Sequence, residues 1–564
     1  MTPSAKRFLG LASAALVLAA ITACEDDPSG PDTPSAPSGL TAAATSATTV
    51  TVTWNQVSDA DSYELDRALG SAAFASIQST LTGTFFNDTG LTASTQYRYQ
   101  VRAVKGTAKS GNSAEASVNT PAAGPKVATL TGVPLSRTLS ADTTYVLSGY
   151  VKVSNNSTLT VPAGTKLVGD TLVPGSSLWI LRGSKIVANG TAAAPIVFTS
   201  QRAPGNRSPG DWGGIIIVGN APINRTGTPI FTEGPAGAAE NYAGGNVAGD
   251  DSGTLKYVRI EYAGYDVSGT GQELNSISSY AVGTATEYDY VQSLAGLDDS
   301  FEFWGGGADI GHMISFESGD DHFDWSEGYQ GRGQFLIALQ TDVLTPRPGT
   351  GGVSGDPRGF EGDGCDPGTP GCLLANAPLS IPFFANFTLV GPGAGIFSSN
   401  DGNGAVIRRG SGGLFVNGIV ARWPGVGISV RNAEGNALLA TEQLYFRNIL
   451  LSQNGSNFEP AGTNFGAALS ANAAAWNISE ATLAATFQGA LPGETTAVTA
   501  ATVNITPVAA SVAATGGLAS FTGTPLAARS GNYLGGTLSG TAYRGAANPD
   551  GTRWWDGWTS FARN

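Results

Sequence analysis

The segment Leu297-Asp298-Asp299-Ser300-Phe301-Glu302-Phe303 returns 22 residues later as Gly319-Asp320-Asp321-His322-Phe323-Asp324-Trp325. In both copies two acids lead into aromatic and acidic residues that alternate, the period of a strand with one face inward. A unit this short cannot enclose a core of its own. It can do so only by stacking on a copy of itself, so the repeat selects solenoid architectures. Twenty-two residues is about the length of one coil in a three-faced parallel β-helix. Successive coils then lie roughly 4.8 Å apart, the spacing of neighbouring strands. A looser echo pairs Pro392-Gly393-Ala394-Gly395-Ile396 with Pro424-Gly425-Val426-Gly427-Ile428 at an offset of 32.

The surrounding sequence agrees with this reading. Short apolar-alternating runs recur from residue 131 onward, among them Thr158-Leu159-Thr160-Val161, Lys185-Ile186-Val187-Ala188 and Phe387-Thr388-Leu389-Val390. Gly, Asn and Pro punctuate them, and helix-length amphipathic stretches are missing between them. The chain has 77 glycines and only 13% charged residues, so turns and strands are favoured over solvated helices. A propeller would need four strands in each 40–45 residues with hairpin turns, and hairpin signals are few. One helical insertion is expected within 470–489, where Ser479-Glu480 precedes helix-forming residues. Trp554, Trp555 and Trp558 are expected to cover the open end of the solenoid, whose bare strand edges would otherwise aggregate.

Further residues carry a resemblance. Gly210-Asp211-Trp212-Gly213-Gly214-Ile215-Ile216-Ile217, Leu255-Lys256-Tyr257-Val258-Arg259-Ile260-Glu261-Tyr262 and Trp554-Trp555-Asp556-Gly557-Trp558-Thr559 resemble a group of bacterial surface lipoproteins with β-helical bodies. The resemblance spans most of 131–564. It implies a single-stranded right-handed parallel β-helix solenoid with loop insertions, and no established activity.

The N-terminal part reads separately. Lys6 and Arg7 precede an apolar stretch over 8–20 that is too short to span a bilayer, and Ile21-Thr22-Ala23-Cys24 closes it. This resembles a bacterial lipoprotein signal. The resemblance implies a signal peptide over 1–23, cleavage before Cys24, and acylation of Cys24, palmitate included. It places the protein in the cell envelope as a lipid-anchored, surface-exposed or extracellular chain. Glu25 after the cysteine points by analogy to the outer membrane. Residues 24–36, rich in Pro and acids, form a tether that reaches roughly 35 Å when extended. Loss of the leader leaves 28 basic against 44 acidic side chains, which disfavours nucleic acid and suits divalent cations.

Residues 37–119 contain several short alternating strands, such as Val50-Thr51-Val52-Thr53-Trp54 and Tyr97-Arg98-Tyr99-Gln100-Val101. Pro37 and Leu40, Trp54, the Leu91 and Tyr97 pair, and Tyr99, Val101 and Ala103 resemble the corresponding positions of fibronectin type III domains. A β-sandwich spacer or protein-binding module follows from that likeness. Residues 120–130 act as a linker, and the fold class of the whole is all-β. Cys365 and Cys372, with six residues between them, read as a small disulfide loop outside the cytoplasm.

The repeat superimposes Asp298 on Asp320, Asp299 on Asp321 and Glu302 on Asp324. Stacked carboxylates one strand spacing apart repel, and three resolutions stay open. A cation, with calcium the natural choice, can be shared among the six oxygen donors. One carboxyl can keep a proton beside an ionised partner and act as an acid. The side chains can instead cap turns. Gly319-Asp320-Asp321 and Gly311-His312 look like short motifs of β-helical polygalacturonases. The preceding Asn-Thr-Asp and the Gly-His-Gly and Arg-Ile-Lys of those enzymes are missing, and the order of the two motifs is reversed. His312 and His322, on one coil, read as turn or ladder residues. Trp304 has the opposite parity to Phe303, faces outward, and is a candidate platform for a sugar ring.

The sequence therefore leads to an elongated acidic β-helix displayed for adhesion, envelope structure or glycan binding, with glycans or surface proteins as partners. The alternative is a polysaccharide lyase or glycoside hydrolase using Asp298, Asp299, Asp320 and Asp321. A basic group such as Arg332 converging on these acids would favour the enzyme.

Overall fold

The computed structural model describes residues 33–124, 126–132, 136–235, 237–267, 272–397, 402–460, 464–493 and 498–563. The leader 1–23, Cys24 and the tether up to residue 32 lie outside the described residues. The chain divides into two compact units, Met1–Gly124 and Pro125–Asn564.

The first unit is a sandwich of two antiparallel sheets. Thr41–Ser46, Thr49–Thr53 and Phe85–Thr89 form one. Ala75–Leu81, Ser62–Leu69, Gln96–Lys105, Ala108–Lys109 and Ala116–Asn119 form the other. Their inward residues meet around Trp54, which packs edge-on against Tyr63 at 5.5 Å. The Thr92 amide donates to the Tyr97 hydroxyl at 2.9 Å, the corner contact expected of the Leu91 and Tyr97 pair.

The second unit is a parallel β-helix. Ten strands stack on its first face, from Tyr150–Val153 through Ile277–Tyr280, Phe301–Trp304, Phe323–Ser326, Arg358–Asp363 and Asn403–Arg408 to Ser456–Phe458. A 17-stranded sheet supplies the other two faces. In the middle coils one strand bends through the corner between them, as Glu287–Leu294, Asp309–Phe316, Arg332–Leu339 and Phe383–Val390 do. The bend is a single residue in the left-handed region at Tyr257, Tyr290, His312, Phe335, Asn386, Asn417 and Asn448, with φ between 48° and 62°. Asparagine adopts that conformation readily, whereas aromatic residues do so seldom.

The 22-residue offset is a rung. Phe301 pairs with Phe323, Glu302 with Asp324 and Phe303 with Trp325, in parallel register. The Phe301 and Phe323 rings lie 5.2 Å apart, and Phe360 continues the inward column on the next rung. Elsewhere loops lengthen the step, as between Leu336 and its partner Phe387. The looser repeat is not a rung. Ile428 pairs with Ala405, whereas Ile396 lies between the strands Phe383–Val390 and Asn403–Arg408 and belongs to neither.

Two further expectations need correction. Between 466 and 489 the helices are Gly466–Asn472 and the single turn Leu483–Thr486, capped by Thr482, whereas Ser479–Glu480 is a strand on the last rung. Its pairing with Leu450–Ser452 outweighs the local helix preference. The tryptophans near residue 555 do not plug the end of the coil. Phe465, Leu469 and Trp476 lie at the last rungs and pack on the end of the core. Trp555 and Trp558 lie instead on the outside of the third face, fully buried with Leu294, Phe316, Leu339, Val390 and Phe561.

That outer cover is extensive. Trp554 and Trp558 meet the stacked corner rings of Tyr257, Tyr290 and His312 edge-on. Farther along the same corner, Asn386 donates to Thr541, Asn417 to the Leu518 carbonyl and Asn448 to the Gly516 carbonyl. Arg563 reaches the buried Glu317 at 2.9 Å. Among the described residues no helix is long and apolar enough to cross a membrane.

Candidate metal centre

The turn that leads into each first-face strand is where the acids converge. Asn275, Asp299 and Asp321 occupy the same place on successive rungs. The Asn275 carboxamide oxygen accepts the Asp299 amide at 3.1 Å, Asp299 accepts the Asp321 amide at 2.7 Å, and Asp321 accepts the Arg358 amide. Each side chain thus fixes the backbone of the following coil. For Asp299 and Asp321 this is the turn-capping resolution, directed one rung onward rather than within its own turn. Gly319 makes the close stacking possible, since a Cβ there would stand 1.8 Å from the Leu297 carbonyl oxygen.

With the turns stacked in this way, the remaining carboxylates crowd together. One oxygen each from Asp298, Asp299 and Asp320 lies within 4.8 Å of the others, and the same holds for Asp299, Glu302 and Asp324. Asp299 belongs to both triads. Two loops bring further acids. Glu233 arrives from the insertion after the strand Ile215–Val218, its amide donating to the Tyr280 hydroxyl at 3.2 Å, and Glu273 from the short hairpin Tyr265–Asp266 and Glu273–Leu274. Glu233, Glu273, Asp298, Asp299, Glu302, Asp320 and Asp324 make no ion pair with Lys, Arg or His among the described residues. The Oδ1 atoms of Asp320 and Asp324 are buried with no hydrogen-bond partner. Asn275 donates to Glu302 at 2.6 Å.

Burial, with mutual repulsion added, pushes the carboxyls of Asp298, Asp299, Glu302 and Asp324 well above the ordinary range. Burial, with repulsion from Glu273 added, does the same for Glu233, which reaches about 8. Burial also raises Asp320, although Arg358 and Arg408 partly oppose it. The arrangement demands positive charge, and the triads offer the oxygen donors that a hard divalent cation takes.

The neighbouring rungs are compensated internally. Arg358 pairs with Asp321 at 3.1 Å, Glu361 at 2.6 Å and Asp356 at 2.5 Å, while Arg408 holds Glu361 and Asp363. The sequence reading did not anticipate Glu233, Glu273, Arg358 or Arg408 here. Arg332 is elsewhere, bound to Asp309 and to the carbonyls of Arg529 and Asn532.

Other candidate residues are placed as follows. Trp304 points outward, yet the insertion that carries Ile230 and Tyr242 covers it, and its ring stacks on Tyr280 at 3.9 Å. At 8% exposure it presents no face to a sugar. Strand parity fixed its direction but not the loop that covers it. His312 sits at the corner with Nδ1 2.8 Å from Asp289 Oδ1. His322 is fully buried, 2.6 Å from the Ser315 hydroxyl, and burial pushes its pKa down to about 3. Neither lies in a triad. Cys365 and Cys372 are bonded. Their loop docks on the same insertion that delivers Glu233, with the Thr226 amide donating to the Gly371 carbonyl and Arg225 to that of Pro370.

A family model described as a pectate-lyase like beta helix domain matches residues 129–501, and one described as a fibronectin type III domain matches residues 35–119. No curated protein matches the chain. A solved Fn3-like protein from Clostridium thermocellum is 35% identical over 16% of this chain and 96% of its own, with a TM-score of 0.15. Domains A168–A170 of titin are 20% identical over 16% of this chain and 33% of theirs, TM-score 0.15. The FN5 domain of Drosophila Lar is 24% identical over 16% and 97%, TM-score 0.14. These structural likenesses carry no argument about the β-helix or its site.

Proposed function

The chain belongs to the family of pectate-lyase-like β-helix domains, and on that footing we propose that it is a lipid-anchored envelope protein that binds calcium on its acidic first face and uses that face for non-catalytic contact with glycans. The observation that carries this reading is the pair of carboxylate triads sharing Asp299, set among seven acids with no basic partner among the described residues. Left without a cation, such a group must hold protons or repel itself. With one, it becomes a rigid, charged element on a repetitive scaffold.

The basic side chains near the acids favour binding over a lyase. A hydrolase could draw both its acid and its base from the carboxyls, but a lyase needs a free basic group beside the sugar, and a converging arginine is the sign expected of one. Arg332 is committed to Asp309, and Arg358 is shared among three carboxylates. The sandwich at 35–119 suits a spacer between the lipid on Cys24 and the β-helix.

Isothermal calorimetry with calcium on the metal-stripped protein tests the central claim. Calcium uptake is expected, together with a rise in the unfolding midpoint. No heat and a midpoint unmoved by chelator would overturn it. Labelled palmitate, incorporated into the wild type and not into Cys24→Ala, tests the anchor.

A further inference from the structure

We infer that the outside of the third face, where Lys166, Thr199, Arg202 and Arg207 come together, is a binding site for a tetrahedral oxyanion of the phosphate class. The site lies on a different face from the acid cluster and stands whether or not that cluster takes calcium.

Strand register assembles it. Lys166–Gly169, Ile196–Ser200 and Gly253–Glu261 stack in parallel on successive rungs, with Lys166 paired to Val197 and Val197 to Arg259. Phe198 and Ile260 belong to the core, so Val197, Thr199, Arg259 and Glu261 share the outer surface. Lys166 and Arg259 thus stand in one outward column, two strand spacings apart, and Thr199 stands in the column beside it. The loop after Ser200 returns over this surface. The Arg207 Nε donates to the Arg202 carbonyl at 3.1 Å, and the Arg207 guanidinium lies 3.5 Å from Glu261.

Positive charge is in excess here. Glu261 serves both Arg207 and Arg259, and Asp211 serves both Arg202 and Arg347. Lys166 makes no ion pair or hydrogen bond among the described residues. Five bases therefore share two carboxylates, in a chain whose acids outnumber its bases by 44 to 30. Partial burial and the nearby Arg207 push the Lys166 ammonium below its ordinary range, and Glu261 opposes them only in part.

A second observation is independent of charge. The Thr199 hydroxyl and the Arg202 Nε are buried and have no hydrogen-bond partner. Thr199 is only 1% exposed. Buried polar atoms are nearly always paired, and these two can donate, as the Lys166 ammonium can. The complement of such a set is an acceptor that carries negative charge. The donors arrive from three places, a strand, the rung after it and the returning loop. A tetrahedral oxyanion offers oxygens in all of these directions, whereas a carboxylate has two oxygens in one plane.

Calorimetry on the full chain in chloride buffer tests this with inorganic phosphate as the probe and acetate as the planar control. Phosphate is expected to bind at least about tenfold more tightly than acetate. Lys166→Gln and Arg202→Gln should each weaken it about tenfold, whereas Lys126→Gln, which removes a lysine paired with Asp142, should leave it unchanged. Thr199→Val should weaken phosphate binding and yet melt at or above the wild-type temperature without phosphate, because it deletes an unpaired buried hydroxyl. Sedimentation with phosphatidylcholine vesicles, with and without phosphatidylglycerol, separates the sources of the phosphate. The Cys24→Ala chain is used there so that no acyl group carries it into the bilayer. Capture that needs both phosphatidylglycerol and Lys166 assigns the site to a lipid headgroup. Phosphate uptake without such capture assigns it to a soluble phosphate. No phosphate uptake, equal affinity for acetate, or indifference to Lys166→Gln would each overturn the inference.

Discussion

The rings of Tyr290 and His312 lie 4.1 Å apart and within 5° of parallel, on successive rungs of one corner of the β-helix. Tyr257 stacks on Tyr290 at 4.4 Å and Phe335 on His312 at 5.0 Å, so four rings form a continuous column. Each belongs to a residue with positive φ, a conformation that costs a residue with a Cβ about 1–2 kcal/mol. Stacking offsets that cost, at about 0.5–1.5 kcal/mol for each aromatic pair. On the rung after Phe335 the corner passes to asparagine, beginning with Asn386, which needs no such offset.

His312→Ala should therefore destabilise the β-helix by ~1–3 kcal/mol, through the lost ring contacts with Tyr290, Phe335 and Trp554. His312→Asn should cost less, because asparagine tolerates the backbone that alanine does not. Equilibrium urea unfolding followed by tryptophan fluorescence reads the difference, since Trp54 is the only tryptophan of the sandwich. Equal losses in the two variants would show that the backbone conformation contributes nothing.

The acid cluster gives the metal-free protein an inverted pH response. A carboxyl whose folded pKa is raised binds protons that the unfolded chain, titrating near 4, has already released, so stability falls as pH rises towards the folded value. For Glu233 that window extends to about pH 8. His322, with its pKa pushed down to about 3, works the other way, but only below its unfolded value near 6.5. In chelator the unfolding midpoint should fall between pH 6.5 and 8. Saturating calcium should flatten that slope, because the bound cation replaces the protons. A midpoint that rises with pH in chelator would contradict the crowding of ionised groups.

Asp320→Asn and Asp324→Asn should have opposite effects in the two states. Without cation each variant relieves repulsion and should melt at or above the wild-type temperature. With calcium each should bind more weakly and gain less from the metal. Calorimetric titration paired with melting curves in both conditions checks the crossing. A variant less stable than wild type in both would mark these acids as purely structural.

Gly319→Ala is expected to be costly although the residue lies in a turn. Its Cβ would overlap the Leu297 carbonyl oxygen at 1.8 Å, and the backbones of two rungs must part. A loss of ~1–3 kcal/mol is typical of such overpacking. Calcium affinity should drop with it, since Asp320 is the next residue. Unchanged affinity would mean that the stacking of the turns does not set the geometry of the triads.

The rung containing Phe301 and Phe323 was legible in the sequence because no loop interrupts that coil. The step from Leu336 to Phe387 hides an equivalent rung behind a long excursion, so no constant spacing marks it in the sequence. Strand parity likewise gave the outward direction of Glu302, Asp324 and Trp304. It did not reveal that Trp304 lies beneath an insertion from another coil. Glu233 and Glu273 enter the cluster from loops that share no register with the repeat, so their proximity is a property of the folded chain alone. Trp555 and Trp558 carry no periodicity, and their place on the third face follows from the apolar column of Leu294, Phe316 and Leu339 that they cover.

Residues 516–563 clothe the corner that runs from Tyr257 to Asn448. During synthesis, and again in any vectorial passage across a membrane, every coil of the β-helix emerges before the stretch that completes it. Rungs wound before residues 516–563 follow would therefore carry a bare aromatic and asparagine seam.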